Sequence, residues 1–351
     1  MSENKKYSFK EFMMTVLGGV SIAIIVGLVP NAILGEIFKA LEDKAEIFKS
    51  LLNVVTISQM AVPALVGALV AKEFGLNLIE SAVVTMTTFV SSGSIKITEN
   101  GFAIAGIGDL INTILIAAIV VFVVLKLRGK LGNLNIVLLP LIVVTLVGGL
   151  GLFTLPYVSK LTAAIGVLVA KITTLQPLLM SILLAVIFAI LIISPFSTVA
   201  VALAIGLSGL GSGAANIGIC ATTAVLVIGS SKINNAGVTT AVFLGSPKMF
   251  MKNWIANPKL NLPIILTSAI SGIFAYVFNI QGTPASAGFG FSGLVGPINA
   301  ISAMESGLGE SILIAALVFF AIPFASSFLI NKLLVDVLKI YDYDAYKFGG
   351  N

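Results

Sequence analysis

The sequence predicts an all-α membrane protein of about ten transmembrane or re-entrant helical segments, with an internal repeat and two amphipathic helices at the membrane interface. Three observations predict it. Of the 351 residues, 58% are hydrophobic and only 10% charged, with a mean hydropathy of +1.11. A soluble domain is about 45–50% apolar and about 25% charged, so this chain lacks the polar residues to cover a core of its own size. Its apolar residues gather in runs near the ~20 residues that cross the hydrocarbon core as a helix. Lys and Arg fall between those runs, where they mark topology.

The elements follow in order. Met1–Lys10 is polar and carries Lys5, Lys6 and Lys10. The run Phe12–Leu34 has no small-residue cleavage site behind it and is long enough to span, so it reads as a first transmembrane helix and not a cleaved signal. Glu36–Leu52 sets Ile37, Leu41, Ile47 and Leu51 at helical spacing among charged residues, the pattern of a helix lying at the interface. Val54–Ala71, Ile79–Ser92, Phe102–Leu125 and Ile136–Pro156 are the next spans, and Tyr157–Leu175 is the second amphipathic stretch. Pro177–Ile193 follows, then a glycine-broken hairpin over Ser197–Ile228, then Leu262–Asn279 and Ile312–Ile330.

Lys126, Arg128 and Lys130 form one basic loop, and Lys232, Lys248, Lys252 and Lys259 occupy the longest polar loop. With the N-terminal lysines and Lys332, Lys339 and Lys347 they define one side, the cytoplasmic one. On the other side Lys39, Lys44 and Lys49 are balanced by Glu36, Glu42, Asp43 and Glu46. Both termini are therefore expected inside a bacterial-type plasma membrane.

The same composition excludes several functions. The net charge of +5 comes from scattered lysines, with no basic helix to bind nucleic acid. The absence of histidine removes imidazole bases and His metal sites, and the single Cys220 allows no disulfide framework. No catalytic set and no metal or cofactor motif is present, so enzyme chemistry on this chain is not indicated.

The chain also repeats. Gly101–Ile114 aligns without gaps on Gly288–Ile301, matching Gly101/Gly288, Phe102/Phe289, Gly106/Gly293, Ile111/Ile298, Asn112/Asn299 and Ile114/Ile301. Leu76-Asn77-Leu78 and Leu260-Asn261-Leu262 precede the two blocks, and Ile114–Ala118 and Ile312–Ala316 follow them. The expected organisation is a first membrane half, 1–135, a second half, 136–335, with an insert near 197–259, and a cytoplasmic tail, 336–351. Both copies would run in the same direction, a known transporter arrangement.

Three features can carry function. Gln281–Asn299 is dense in glycine, proline and small hydroxyl residues yet apolar enough to enter the bilayer. Broken backbone at membrane depth must be buried in protein or line a watery cavity, so Thr283, Ser286, Gly288, Phe289, Ser292 and Asn299 are candidate solute contacts on a re-entrant loop; the alternative is an ordinary external loop between helices. Gly206–Gly218 carries small residues four apart, which suits close helix packing. Ser212 and Asn216, one turn apart within it, either serve that packing or face a cavity. Asp109 and Asn112 share a helix face within an apolar run, where an ionisable group is functional by default; alternatively Asp109, close to the start of the run, lies at the external interface. Glu99 and Glu305 are candidates for the cavity mouth, and the matched pair Asn112 and Asn299 suggests one solute site between the copies.

These motifs, Ala200–Gly218 and Gly282–Asn299 above all, resemble those of the EIIC membrane permeases of the bacterial phosphotransferase system, in particular the perfringolysin-regulator-like branch. The resemblance covers nearly the whole chain. It implies a homodimeric permease for a sugar or similar small polar solute, with re-entrant loops holding the solute and separate IIA and IIB phosphocarrier subunits as partners. The chain departs from the sugar permeases in having no histidine beside the solute, so any phosphotransfer rests on those partners. A membrane-embedded sensor that binds a ligand without net transport is the alternative.

Overall fold

The computed structural model describes residues 7–99, 101–284 and 286–349, without the side chains of Ala32, Glu36 and Asn133. Lys5, Lys6 and the Glu36 side chain therefore lie outside the described residues. The chain is helical almost throughout, with α1 Phe9–Leu41, α2 Glu46–Met60, α3 Val62–Glu73, α4 Leu78–Ser91 and α5 Leu110–Leu127. It continues with α6 Asn135–Ile172, α7 Pro177–Ile193, α8 Thr198–Ala204, α9 Gly209–Ser230, α10 Ala236–Leu244, α11 Met251–Ala256, α12 Asn261–Val277 and α13 Val295–Ala303. The last helix is α14 Leu308–Val337. Among the described residues six helices are long and apolar enough to cross a membrane, or up to seven if the bent pair α2 and α3 forms one span. The all-α membrane class holds.

Several boundaries differ from the sequence reading, each for a local reason. α1 runs through Pro30 and α6 through Pro140 and Pro156, so both amphipathic stretches begin as continuations of a spanning helix. Proline deletes one backbone donor per site, and membrane helices tolerate this because local π adjustments and neighbours re-satisfy the freed carbonyl. In α6 a π turn over Val143–Val147 lies just beyond Pro140. Val54–Ala71 is not one straight helix. It breaks at Ala61 with a 49° bend, since Pro63 in the first turn of α3 has no N–H to continue the ladder.

The run expected to span from Phe102 starts instead as a β-hairpin, β1 Ile95–Thr98 on β2 Gly101–Ile104, antiparallel with Ile95 opposite Ile104. Ile95, Ile97 and Thr98 favour extended backbone. Gly108, at φ +71° and pressed onto the Ser92 carbonyl, holds the turn that leads into α5.

Two compact units are formed, Met1–Leu28 with Thr56–Ser159, and Val29–Val55 with Lys160–Asn351. The chain passes between them inside α1, α2 and α6. In the first unit α3 packs on α4 and α4 on α5. A Cβ on Gly67 would meet the Thr85 backbone at 2.7 Å, and one on Gly19 the Val70 backbone at 2.6 Å, so these helices touch backbone to backbone. Val16, Val20, Val66, Val70, Val84, Ile116, Val120 and Val124 are fully buried in this unit.

The second unit is built around α9, which is buried along most of its length against α7, α12 and α14. Gly218 lies against the Ala185 carbonyl of α7, and a Cβ on Gly272 of α12 would meet the Ser181 carbonyl at 2.8 Å. Leu184, Phe188, Ile217, Ile219, Ala275 and Phe319 form its core. The C-terminal segment is ordered against this unit. Tyr346 is fully buried with its ring over Gly229, and its hydroxyl donates to Asn331 Oδ1 at 2.7 Å. Asn234 Nδ2 donates to the Tyr346 carbonyl at 2.7 Å, and Asn253 Nδ2 to that of Lys347 at 2.8 Å.

Candidate functional site

In the second unit the two glycine-rich stretches meet. At the start of α9, Gly209 and Gly282 form an isolated antiparallel bridge, with N–H···O bonds of 2.8 and 3.1 Å. One turn on, Ser212 Oγ donates to the Thr283 carbonyl at 2.9 Å. A further turn on, Asn216 Oδ1 accepts from Phe289 N at 3.2 Å and Gly290 N at 3.0 Å. Thr198, at the start of α8, donates through Oγ1 to the Gly288 carbonyl at 2.8 Å. Gly213 lets the Ile280 carbonyl approach where a Cβ would stand, and Gly288, at φ +94°, lies 2.8 Å from the Thr198 backbone by the same test. The small-residue spacing on α9 therefore admits both a neighbouring helix and an irregular loop, and the loop's freed amides are satisfied by α9 side chains.

The loop also closes on itself. Thr283 N donates to Ser286 Oγ at 2.9 Å, and Ser286 N to Thr283 Oγ1 at 3.2 Å. Thr283 Oγ1 donates to Asn299 Oδ1 at 3.2 Å, Asn299 Nδ2 to the Val295 carbonyl at 3.1 Å, and Ser292 Oγ to the Gly245 carbonyl at 3.0 Å. Ser212, Asn216 and Ser286 are fully buried, so they build the loop. Thr283 is exposed, with Gln281, Phe289, Ser292 and Asn299 half-buried. No protein partner engages the Gln281 amide among the described residues. Gln281, Thr283 and Asn299 thus form the open polar edge of this loop, and Gln281 carries no motif of its own that would single it out in the sequence.

The first-unit candidates stand differently. Asp109 is the N-cap of α5 and accepts from Asn112 N at 3.0 Å. Asn112 is fully buried. Its Nδ2 donates to the carbonyls of Ser91 at 2.7 Å and Gly151 at 3.0 Å, and its Oδ1 accepts from Thr154 Oγ1 at 2.8 Å. The amide ties α4, α5 and α6 together and has no donor left over. Glu99 is exposed in the hairpin turn, and Glu305 is exposed between α13 and α14. Among the described residues no three Cys, Asp or Glu side chains gather as a metal site would require.

Two charged contacts went unread in the sequence. Glu80 forms a capping box with Asn77 at the start of α4, and Arg128 grips its carboxylate through Nε at 2.9 Å and Nη2 at 2.6 Å. Lys248, fully inside the second unit, donates to the Ser194 and Phe196 carbonyls at 2.6 Å each. Partners so distant in sequence leave no local signal.

The sequence model of the family described as "Phosphotransferase system, EIIC" matches residues 14–348. The chain belongs to that EIIC family. Comparison with curated proteins returned no match, nor did comparison with solved structures. As an EIIC chain it is a multi-pass plasma-membrane permease component for sugar uptake, acting with IIA and IIB phosphotransfer components. The match spans both compact units, so the glycine-rich loop belongs to the EIIC body itself.

Proposed function

We propose that this EIIC chain takes up a small hydroxylated solute, a sugar or polyol, and binds it at the open edge of the loop 281–299. The observation that carries this reading is the clasp of that loop onto α9 by Ser212 and Asn216. It holds irregular backbone in place while Gln281, Thr283 and Asn299 stay reachable. Their amide and hydroxyl groups both donate and accept, as recognition of a solute hydroxyl requires. The solute would then be phosphorylated by the partner IIB component, since no phosphoryl-carrying histidine exists on this chain. We further propose that the two sequence repeats are structural copies, that both termini face the cytoplasm, and that the working form is a homodimer.

Binding of a panel of labelled sugars and polyols to the purified protein tests the site. Asn299→Ala and Thr283→Val should weaken binding by about 5- to 150-fold, the equivalent of ~1–3 kcal/mol for one lost polar partner. Unchanged affinity in both variants would move the solute elsewhere. Uptake into proteoliposomes charged with IIA, IIB and a phosphoryl donor separates transport from the sensing role that the perfringolysin-regulator-like resemblance suggests. A sensor would bind without accumulation.

A further inference from the structure

The joint between α7 and α8 holds a buried charge that stands outside the polar edge Gln281, Thr283 and Asn299. α7 ends at Ile193, and Pro195 in the connection has no N–H to return to the last turn. The Leu191 carbonyl is met by Ser194 Oγ at 2.7 Å, but the carbonyls of Ser194 and Phe196 beyond it need outside donors, close to the negative end of the helix dipole. Lys248 supplies them. It stands in the short turn Pro247–Phe250 and is 7% exposed. Its Nζ donates to the carbonyls of Ser194 at 2.6 Å, Phe196 at 2.6 Å and Leu191 at 3.5 Å. No carboxylate pairs with it among the described residues. Burial pulls its ammonium down to about 7, while two carbonyl oxygens at 2.6 Å and the negative end of the α7 dipole favour the charged form.

Converging carbonyls at a broken helix end are what coordinates a small cation in membrane transporters. Here the position is filled by the protein's own side chain. We propose that Lys248 is a tethered ammonium occupying a monovalent-cation site made by the Ser194 and Phe196 carbonyls, with that of Leu191 at its edge, and that it positions the glycine-rich loop. The connection runs through the next residues. Phe196 leads to Thr198, whose Oγ1 holds the Gly288 carbonyl at 2.8 Å, and Gly290 N is held in turn by Asn216. The positioning half of this inference rests on reading the loop as the solute site, whereas the cation half does not.

Removal of the side chain beyond Cβ deletes the equivalent of n-propylammonium. Lys248→Ala, purified as the full chain in detergent, is melted without solute in equal concentrations of choline chloride, sodium chloride or n-propylammonium chloride. The expected result is a lower melting temperature in choline, restored in n-propylammonium, with the unmodified protein insensitive to the exchange. Partial recovery in sodium would also support the site. Identical melting of the variant in all three salts overturns it. Should the variant fold in none of them, Lys248→Met decides, because it keeps the packed stem without the charge. A melting temperature below that of the unmodified protein supports the ammonium, and an equal one overturns it. Failure of any sugar to bind the unmodified protein would sink the solute-site reading and leave these melting results standing.

Discussion

At the scale of single residues, Asn112 and Asn216 are both buried amides on helices, and their partners separate their roles. Asn112 bonds two backbone carbonyls and one hydroxyl from two neighbouring helices, α4 and α6. Asn112→Ala should cost about 1–3 kcal/mol of stability, the usual penalty for leaving buried partners unpaired, while solute affinity stays as it was. Thermal melting and binding on one preparation check both halves of that expectation. Asn216→Ala frees the amides of Phe289 and Gly290, so affinity and stability should fall together. Glu80 offers a charged counterpart. It is 2% exposed and gripped by two Arg128 nitrogens. Arg128→Met leaves a buried carboxylate with only the Asn77 N–H, and should lower stability by about 1.5–3 kcal/mol in a melting experiment.

At the scale of elements, close backbone approach decides which glycines matter. Gly218 lies against the Ala185 carbonyl, so even one methyl group forces α7 and α9 apart. Gly149, in α6, has open space where a Cβ would stand. Alanine in a helix interior is favoured over glycine by about 0.5–1 kcal/mol. Gly149→Ala should therefore be neutral or stabilising, and Gly218→Ala should lose the folded protein. The yield and melting temperature of the two variants, compared in detergent, give the answer. Gly288→Leu combines a left-handed φ with a blocked approach to Thr198, and should abolish solute binding while α7 and α9 still pack. Retained binding in a well-folded Gly288→Leu preparation would remove the loop from the site.

At the scale of the whole molecule, the proposed topology puts the basic loop after α5 on the cytoplasmic side. Lys126, Arg128 and Lys130 lie within a few residues of the end of a spanning helix, where positive charge keeps a loop inside. Lys130→Cys in a Cys220→Ala background should resist a membrane-impermeant thiol reagent in intact cells and react after permeabilisation. Lys130 is the better position, because Gly129 sits at φ +76°, where a side chain is strained. Labelling from outside would invert the proposed topology. Cys220 itself is fully buried, so the background substitution removes little reactivity.

The sequence by itself determined the membrane class, the helix-breaking character of the two glycine-rich stretches and the EIIC resemblance. These follow from composition and from local chemistry: glycine and proline break helices wherever they stand, and 58% hydrophobic residues cannot be hidden in a soluble core. It did not determine that the helix expected from Phe102 starts only at Leu110, because Ile95–Ile104 satisfies an extended pairing that hydropathy does not register. Only the tertiary structure decided that Ser212 and Asn216 hold the loop while Thr283 and Asn299 edge it. It alone showed that Asn112 is a helix tie and that Lys248 closes the end of α7. Each of these depends on a bond between groups far apart in the chain. A side chain's type states what it can bond, but packing of backbone on backbone at Gly213, Gly218 and Gly288 selects which partner comes within reach.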